Sequence, residues 1–132
     1  MRISTLMSYA QGYVGATNEI VEMEKAGLDV VWVPEAYSFD APSAMGYLAA
    51  KTERVTIASG ILPIYSRTPT LMAMTAAGID ALSEGRCMLG LGASGPQVIE
   101  VFHGVPYDAP ATRIREIIEI CRKVWRLSLI HI

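Results

Sequence analysis

Glu35 is the one carboxylate that directly follows an apolar, strand-like run, Val30 to Pro34. A carboxylate there can orient a cofactor or substrate, or it can cap the turn that follows. Arg67 stands beside Thr68-Pro69 at the mouth of a helix, where a guanidinium meets an anion or stays a solvated rim charge, the more common outcome. Gly90-Leu91-Gly92-Ala93-Ser94-Gly95 spells the glycine pattern whose backbone amides can approach a pyrophosphate. Its context argues against that use. Pro96 follows at once, the next regular helix is expected only near Ala111, and Asp108 is too close to reach a ribose. Tyr65, Phe102 and Tyr107 could wall a planar ring or could pack as ordinary loop aromatics. No Ser-His-Asp or Cys-His set is visible. His103 and His131 have no metal-ligand spacing with Cys87 and Cys121, so a metal is not expected.

The elements that must position these residues alternate in type. Short apolar runs at Arg2 to Ser8, Val30 to Pro34, Val55 to Ile61 and Cys87 to Gly92 read as strands. Each precedes a stretch with helical spacing. The first helix is predicted from about Thr17 to Ala26, with Ile20, Met23 and Ala26 on one face and Gly27 behind it. A second begins after Asp40 with Pro42 in its first turn and carries Met45, Leu48 and Ala49. The third starts near Thr68-Pro69, buries Leu71, Thr75, Ile79 and Leu82, and ends at Gly85. The fourth sets Ile114, Ile117, Ile118, Cys121, Val124 and Trp125 against a charged opposite face.

This order, four strand-helix units, predicts a parallel α/β sheet with right-handed crossovers. Val30-Val31-Trp32-Val33 lacks alternation, as a strand covered on both faces should. Two architectures fit: an open doubly wound sheet, or part of a (β/α)8 barrel, for which about 250 residues are needed. At 132 residues the chain can supply half of a barrel, and its two outer strands would then be unpaired edges. In either architecture ligands meet the carboxyl ends of the strands. The positions to inspect are Ser8 and Tyr9, Glu35 to Tyr37, Gly60 to Pro63 and Gly92 to Pro96.

Composition narrows the function classes. The hydrophobic share of 52% belongs to a folded chain, and a net charge of -2 without a basic run gives nucleic acid no footprint. No continuous apolar stretch is long enough for a membrane span, and no charged segment leads into an apolar one as in a secretory leader. Both cysteines read as buried thiols, and a reducing cytoplasm is the expected compartment.

Four stretches carry a family likeness: EKAGLDVVW at 24–32, AKTERVTIASGILP at 50–63, RTPTLMAMTAAGIDALSEGRCMLGLG at 67–92 and GVPYDAPATRIRE at 104–116. In order and spacing they resemble the N-terminal half of the luciferase-like monooxygenase superfamily, most closely its deazaflavin-dependent, coenzyme F420 branch. The resemblance covers residues 2–126. It implies half of a (β/α)8 barrel with about four βα units, an oxidoreductase activity on a small organic substrate, and coenzyme F420, or alternatively FMN, in a carboxyl-end cleft. It implies Glu35, Ala36, Gly60, Ile61, Gly92, Ala93 and Ser94 as the cofactor-facing positions, with a cis peptide between Gly60 and Ile61. It assigns no catalytic residue. The exposed sheet edges at strands one and four favour association, so a homo-oligomer is expected.

Two departures stand out. Relatives that oxidise sugar phosphates have an acidic residue then histidine after the second strand, where this chain has Glu35-Ala36. The usual general base is therefore missing. Residues 127–132 do not match the family's charged helix continuation, so 1–126 is read as a partial barrel domain and 127–132 as a tail outside the family pattern, as in a truncated fragment. The alternatives to the oxidoreductase are a non-catalytic half-barrel acting through self-association and a small NAD-binding α/β domain.

Overall fold

In the computed structural model residues 1–126 are described; the tail reading of 127–132 falls outside them. The chain runs β1 (Ser4–Leu6), α1 (Gly12–Lys25), β2 (Val30–Val33), α2 (Ala41–Lys51), β3 (Thr56–Ser59), β4 (Leu62–Pro63), α3 (Pro69–Leu82), β5 (Cys87–Met88), β6 (Leu91–Gly92) and α4 (Pro110–Arg126). A six-residue π-helix, Gln97–Phe102, precedes α4.

Strands β1, β2, β3 and β5 form one parallel sheet in that order, and β4 pairs with β6 beside it. The order advances in one direction, with no reversal among the described strands. A doubly wound sheet reverses at its ligand-binding crevice, whereas a barrel wall does not. Consecutive helices pack side by side, α1 on α2, α2 on α3 and α3 on α4. The core between helices and sheet holds Val31, Val33, Met45, Leu48, Ile57 and Met72, all at 1% exposure or less. Register places Leu6, Trp32, Ala58 and Met88 in one row across the sheet; Leu6 at its end is 62% exposed and Met88 36%.

The helix starts follow from capping. Asp40 accepts the amide of Ser43 at 3.0 Å ahead of Pro42, and Thr68 accepts that of Leu71 at 3.3 Å ahead of Pro69. Gly27, at φ +103°, ends α1 where the sequence predicted a glycine cap.

The structure differs from the sequence reading in four places. Helix α1 begins at Gly12 rather than Thr17, its start masked by Gly12 and Gly15 and by Gln11, an N-cap without a capping side-chain bond. Its buried positions are Ala16, Thr17, Ile20 and Glu24, while Ala26 is exposed as the C-cap. In α3 the buried residues are Met72, Ala73, Ala76 and Ile79; Leu71 is 48% exposed and Leu82 68%. Leu71 to Leu82 is apolar on nearly every side, so spacing alone does not select which stripe meets the sheet. The third and fourth strands each break in two. At the break the Ser59 hydroxyl accepts the Gly90 amide at 2.8 Å and donates to the Gly90 carbonyl at 2.9 Å, replacing the regular ladder. The π-helix lies where the sequence predicted only loop.

Two polar locks hold the amino-terminal end of the sheet. Glu24 is 7% exposed and accepts the amides of Glu53, Arg54 and Val55, the last two at 2.7 Å. Burial alone would raise its pKa; the three amides outweigh it and hold the carboxyl below its ordinary value. Arg86 donates to Ala49 O, Thr52 O and Thr52 Oγ1 at the end of α2, to Val55 O before β3 and to Ser83 O at the end of α3.

Candidate functional site at the carboxyl ends of the strands

Glu35 follows β2 and both of its oxygens are engaged. Arg67 grips it in a two-pronged pair, Nη1–Oε1 at 2.5 Å and Nη2–Oε2 at 2.9 Å, and Oε2 also accepts the Ala41 amide at 2.7 Å. The side chains are 8% and 13% exposed. Arg67 is therefore no solvated rim charge. Its guanidinium finds a carboxylate 32 residues earlier, a partner that local sequence could not reveal. Glu35 caps α2 as one of its two readings proposed, and the pair ties the β2–α2 loop to the start of α3. Nearby, the Tyr9 hydroxyl donates to Pro34 O at 3.1 Å. Burial, then Tyr13, Glu35 and Asp40, keep that phenol protonated well above its ordinary range.

The next strand ends bring the glycines together. The Gly60–Ile61 peptide is cis, at the position the resemblance implied. Ile61 lies against Gly92, where an added Cβ would stand 2.9 Å from Ile61 Cδ1, and a Cβ at Gly60 would stand 3.1 Å from Trp32 Cβ. At Gly90 a Cβ would fall 2.1 Å from Ser59 O. These glycines thus serve close strand contact. After Gly95 comes the short π-helix, whose Val98 and Ile99 amides are taken up by Gly95 O. Gly60, Ile61, Gly92, Ala93 and Ser94 are all half-buried, a shelf with little side chain at the strand ends. Ser94 holds φ +57°, uncommon for a residue with a Cβ, and its carbonyl accepts the Tyr107 hydroxyl at 3.2 Å.

Tyr65 and Tyr107 pack on each other, centroids 5.3 Å apart, and Tyr65 donates to Asp108 O. Of the three loop aromatics, Phe102 alone stays exposed, at 55%, edge-on to Tyr37. A cavity of about 280 Å³ lies between the β2–α2 loop and the end of the π-helix, lined by Glu35, Ala36, Asp40, Arg67 and His103 among others. A larger one, about 480 Å³, sits at the open β5 edge beside Trp125, away from the strand ends. Among the described residues no cluster of three or more metal-ligating side chains occurs, and no helix is long and apolar enough to cross a membrane. Cys121 is buried and Cys87 half-buried; burial and then Asp80 push the Cys87 thiol up to about 11.

Sequence reasoning missed Ser59, Glu24 and His103. The first two are polar residues inside apolar or helical runs, a pattern that signals a buried hydrogen-bonding role without naming the partner.

The unidirectional parallel sheet and the helices packed in succession define one wall of a (β/α)8 barrel. The chain belongs to the luciferase-like monooxygenase family, whose model matches residues 1–129. It is 42% identical over 106 residues to a Mycobacterium tuberculosis protein named "Putative coenzyme F420-dependent oxidoreductase", covering 80% of this chain and 30% of that one. It is 31% identical over 102 residues to the 5,10-methylenetetrahydromethanopterin reductase of Archaeoglobus fulgidus, covering 76% of this chain and 30% of the reductase. Among solved structures, the oxygenating constituent of 3,6-diketocamphane monooxygenase from Pseudomonas putida, in complex with FMN, superposes with a TM-score of 0.83. The match covers 95% of this chain and 39% of that one at 19% identity, a likeness of fold. The chain thus spans about a third of the length of the curated relatives it matches, and its fold is half of their barrel.

Proposed function

We propose that the chain forms part of an oxidoreductase that binds coenzyme F420, with FMN as the alternative, on the face made by Glu35, Ala36, Gly60, Ile61, Gly92, Ala93 and Ser94. The observation that carries this reading is the shelf at Gly60–Ile61 and Gly92–Ser94. Its backbone is half-exposed at the strand ends, and Gly92, lacking a Cβ, lets the Ile61 side chain lie directly against the strand, where an added Cβ would stand 2.9 Å from Ile61 Cδ1. A flat, apolar surface with few side chains suits a planar ring. Ser94, held in the left-handed region, is the kind of outlier from which a functional site is argued. The relatives named for coenzyme F420 support the cofactor, and the FMN complex supports its alternative.

Such a group supplies a carbon or nitrogen in its central ring that takes up or releases a hydride; the chain's residues bind and orient it. The Glu35–Arg67 pair holds the loop after β2 as a fixed wall, and Tyr9 fixes Pro34 at its base. Ala36 brings no proton-transfer group, so the reaction is a reduction or an oxidation that does not draw on an imidazole at that position.

A homo-oligomer in the cytoplasm completes the proposal. Leu71, Met74 and Leu82 line the outer side of α3 at 48–68% exposure, and Gly78 lies between them. An apolar outer stripe of this kind is what one copy presents to another. It equally serves the second reading, a half-barrel acting through self-association. Titration of the purified chain with coenzyme F420, FMN and NADH, with its mass in solution followed alongside, separates these. Saturable F420 or FMN binding supports the oxidoreductase. Dimerisation without binding leaves only self-association, and NADH binding alone would favour a dinucleotide domain.

A further inference from the structure

Trp32 stands in β2, between Leu6 of β1 and Ala58 of β3 in register. Side chains alternate along a strand, so it points away from the side taken by Val31 and Val33. Those two belong to the core beneath the helices, and Trp32 does not. Its row, Leu6, Trp32, Ala58 and Met88, therefore faces the inner side of the barrel wall.

The indole leans from β2 onto β3. A Cβ added at Gly60 would stand 3.1 Å from Trp32 Cβ and 3.5 Å from Cε3, so the six-membered ring lies against Gly60. Ala58 is fully buried although it shares the inner face, where Leu6 is exposed. A methyl group on an open face is sealed only by a larger neighbour lying over it. Trp32 itself is half-buried, and its carbonyl is taken up by the Met7 amide at 2.8 Å in a strand flanked on both sides. The exposed part is the side chain. Among the described residues its indole N–H is neither hydrogen-bonded nor one of the buried unpaired atoms, Thr17 Oγ1 and His103 Nε2, so it meets solvent. A tryptophan given over to packing places that donor on an acceptor, as Trp125 does on Ala73 O at 3.1 Å.

We propose that Trp32 is a positioning residue for the cofactor ring: its indole backs Gly60 from the inner side and sets the depth at which a planar tricyclic ring rests on the shelf. That the ring is a cofactor's rests on the oxidoreductase reading; that a planar heteroaromatic ring settles there does not. Placement at a reacting centre matters on the ångström scale, so a side chain beneath the shelf bears on function without touching the reacting atoms. Alanine at this position removes the support of Gly60, whereas phenylalanine keeps a flat ring against it.

The test follows the two indole N–H signals in spectra of the 15N-labelled chain, assigned with Trp32→Phe and Trp125→Phe. Coenzyme F420 and, in parallel, lumichrome, a tricyclic ring without a phosphate tail, are added to saturation. The Trp32 indole signal moves with each ligand, at the same midpoint as the Gly60 amide, and the Trp125 signal stays. Trp32→Ala weakens binding of both, read at the Gly92 amide, by about tenfold, and Trp32→Phe restores it to within about threefold of wild type. Should Trp32→Ala not fold, the wild-type indole signal and the Trp32→Phe affinity decide. An unmoved Trp32 indole while the Gly60 and Gly92 amides shift, or equal affinity in wild type and Trp32→Ala, overturns the proposal and leaves the shelf reading standing. A response to lumichrome but not to coenzyme F420 removes the cofactor reading alone, and no response to either ring overturns both.

Discussion

Replacing Glu35 by glutamine leaves the Arg67 guanidinium 13% exposed and without its carboxylate, and weakens the acceptor at the first turn of α2. Breaking a buried ion pair by removing one partner costs about 3–5 kcal/mol. The neighbouring cavity gives the guanidinium partial access to solvent, so the lower end, about 3 kcal/mol, is expected. Unfolding entropy of about 2.1 cal/mol/K per residue over this chain makes that a fall of about 11 °C in midpoint. Thermal unfolding followed by circular dichroism measures the shift, and urea unfolding the free energy. The double variant Glu35→Gln/Arg67→Met, which removes both charges, recovers much of the loss, because no uncompensated charge remains. A cost below about 0.5 kcal/mol for Glu35→Gln would be that of an exposed pair and would refute the buried clamp.

Other perturbations separate the remaining parts of the account. Glu24→Gln costs about 1.5–3 kcal/mol at neutral pH, since three amides lose a charged acceptor. The folded Glu24 carboxyl titrates below its unfolded value, so this stability is present above the unfolded value and is lost as pH falls through the folded one. The gap between wild type and variant therefore narrows in acid, which unfolding curves at several pH values check. Gly90→Ala drives a Cβ into a backbone carbonyl and costs about 3 kcal/mol or prevents folding, read by the same curves. Met74→Glu with Leu82→Glu, both exposed, leaves the midpoint unchanged and lowers the mass in sedimentation if α3 joins copies. The Cys87 thiol, pushed up to about 11, reacts with maleimide at pH 8 far more slowly than a free cysteine.

The architecture was legible because its signals are local. Asp40-Pro42 and Thr68-Pro69 cap their helices as predicted, and β2 is apolar on both faces because both are covered. The strand breaks were not legible, since a serine hydroxyl standing in for a ladder bond depends on a glycine 31 residues away. The same holds for Arg67, whose partner is brought near only by the fold. The face of α3 escaped for the opposite reason: a helix apolar all round offers the sheet several equivalent stripes. The glycines of 90–95 were legible as special but ambiguous in purpose, and the Cβ contacts assign Gly90 and Gly92 to strand packing.

The central claim is that the shelf at the strand ends receives the ring of the cofactor. Backbone amide spectra of the 15N-labelled chain, recorded as coenzyme F420 is added, test it directly. The account predicts saturable shifts concentrated at Gly60, Ile61, Gly92, Ala93 and Ser94, weakened about tenfold or more by Gly92→Val, whose side chain would press on Ile61. Shifts gathered instead around Trp125 and the β5 edge, or none in a folded chain at saturating cofactor, would contradict it.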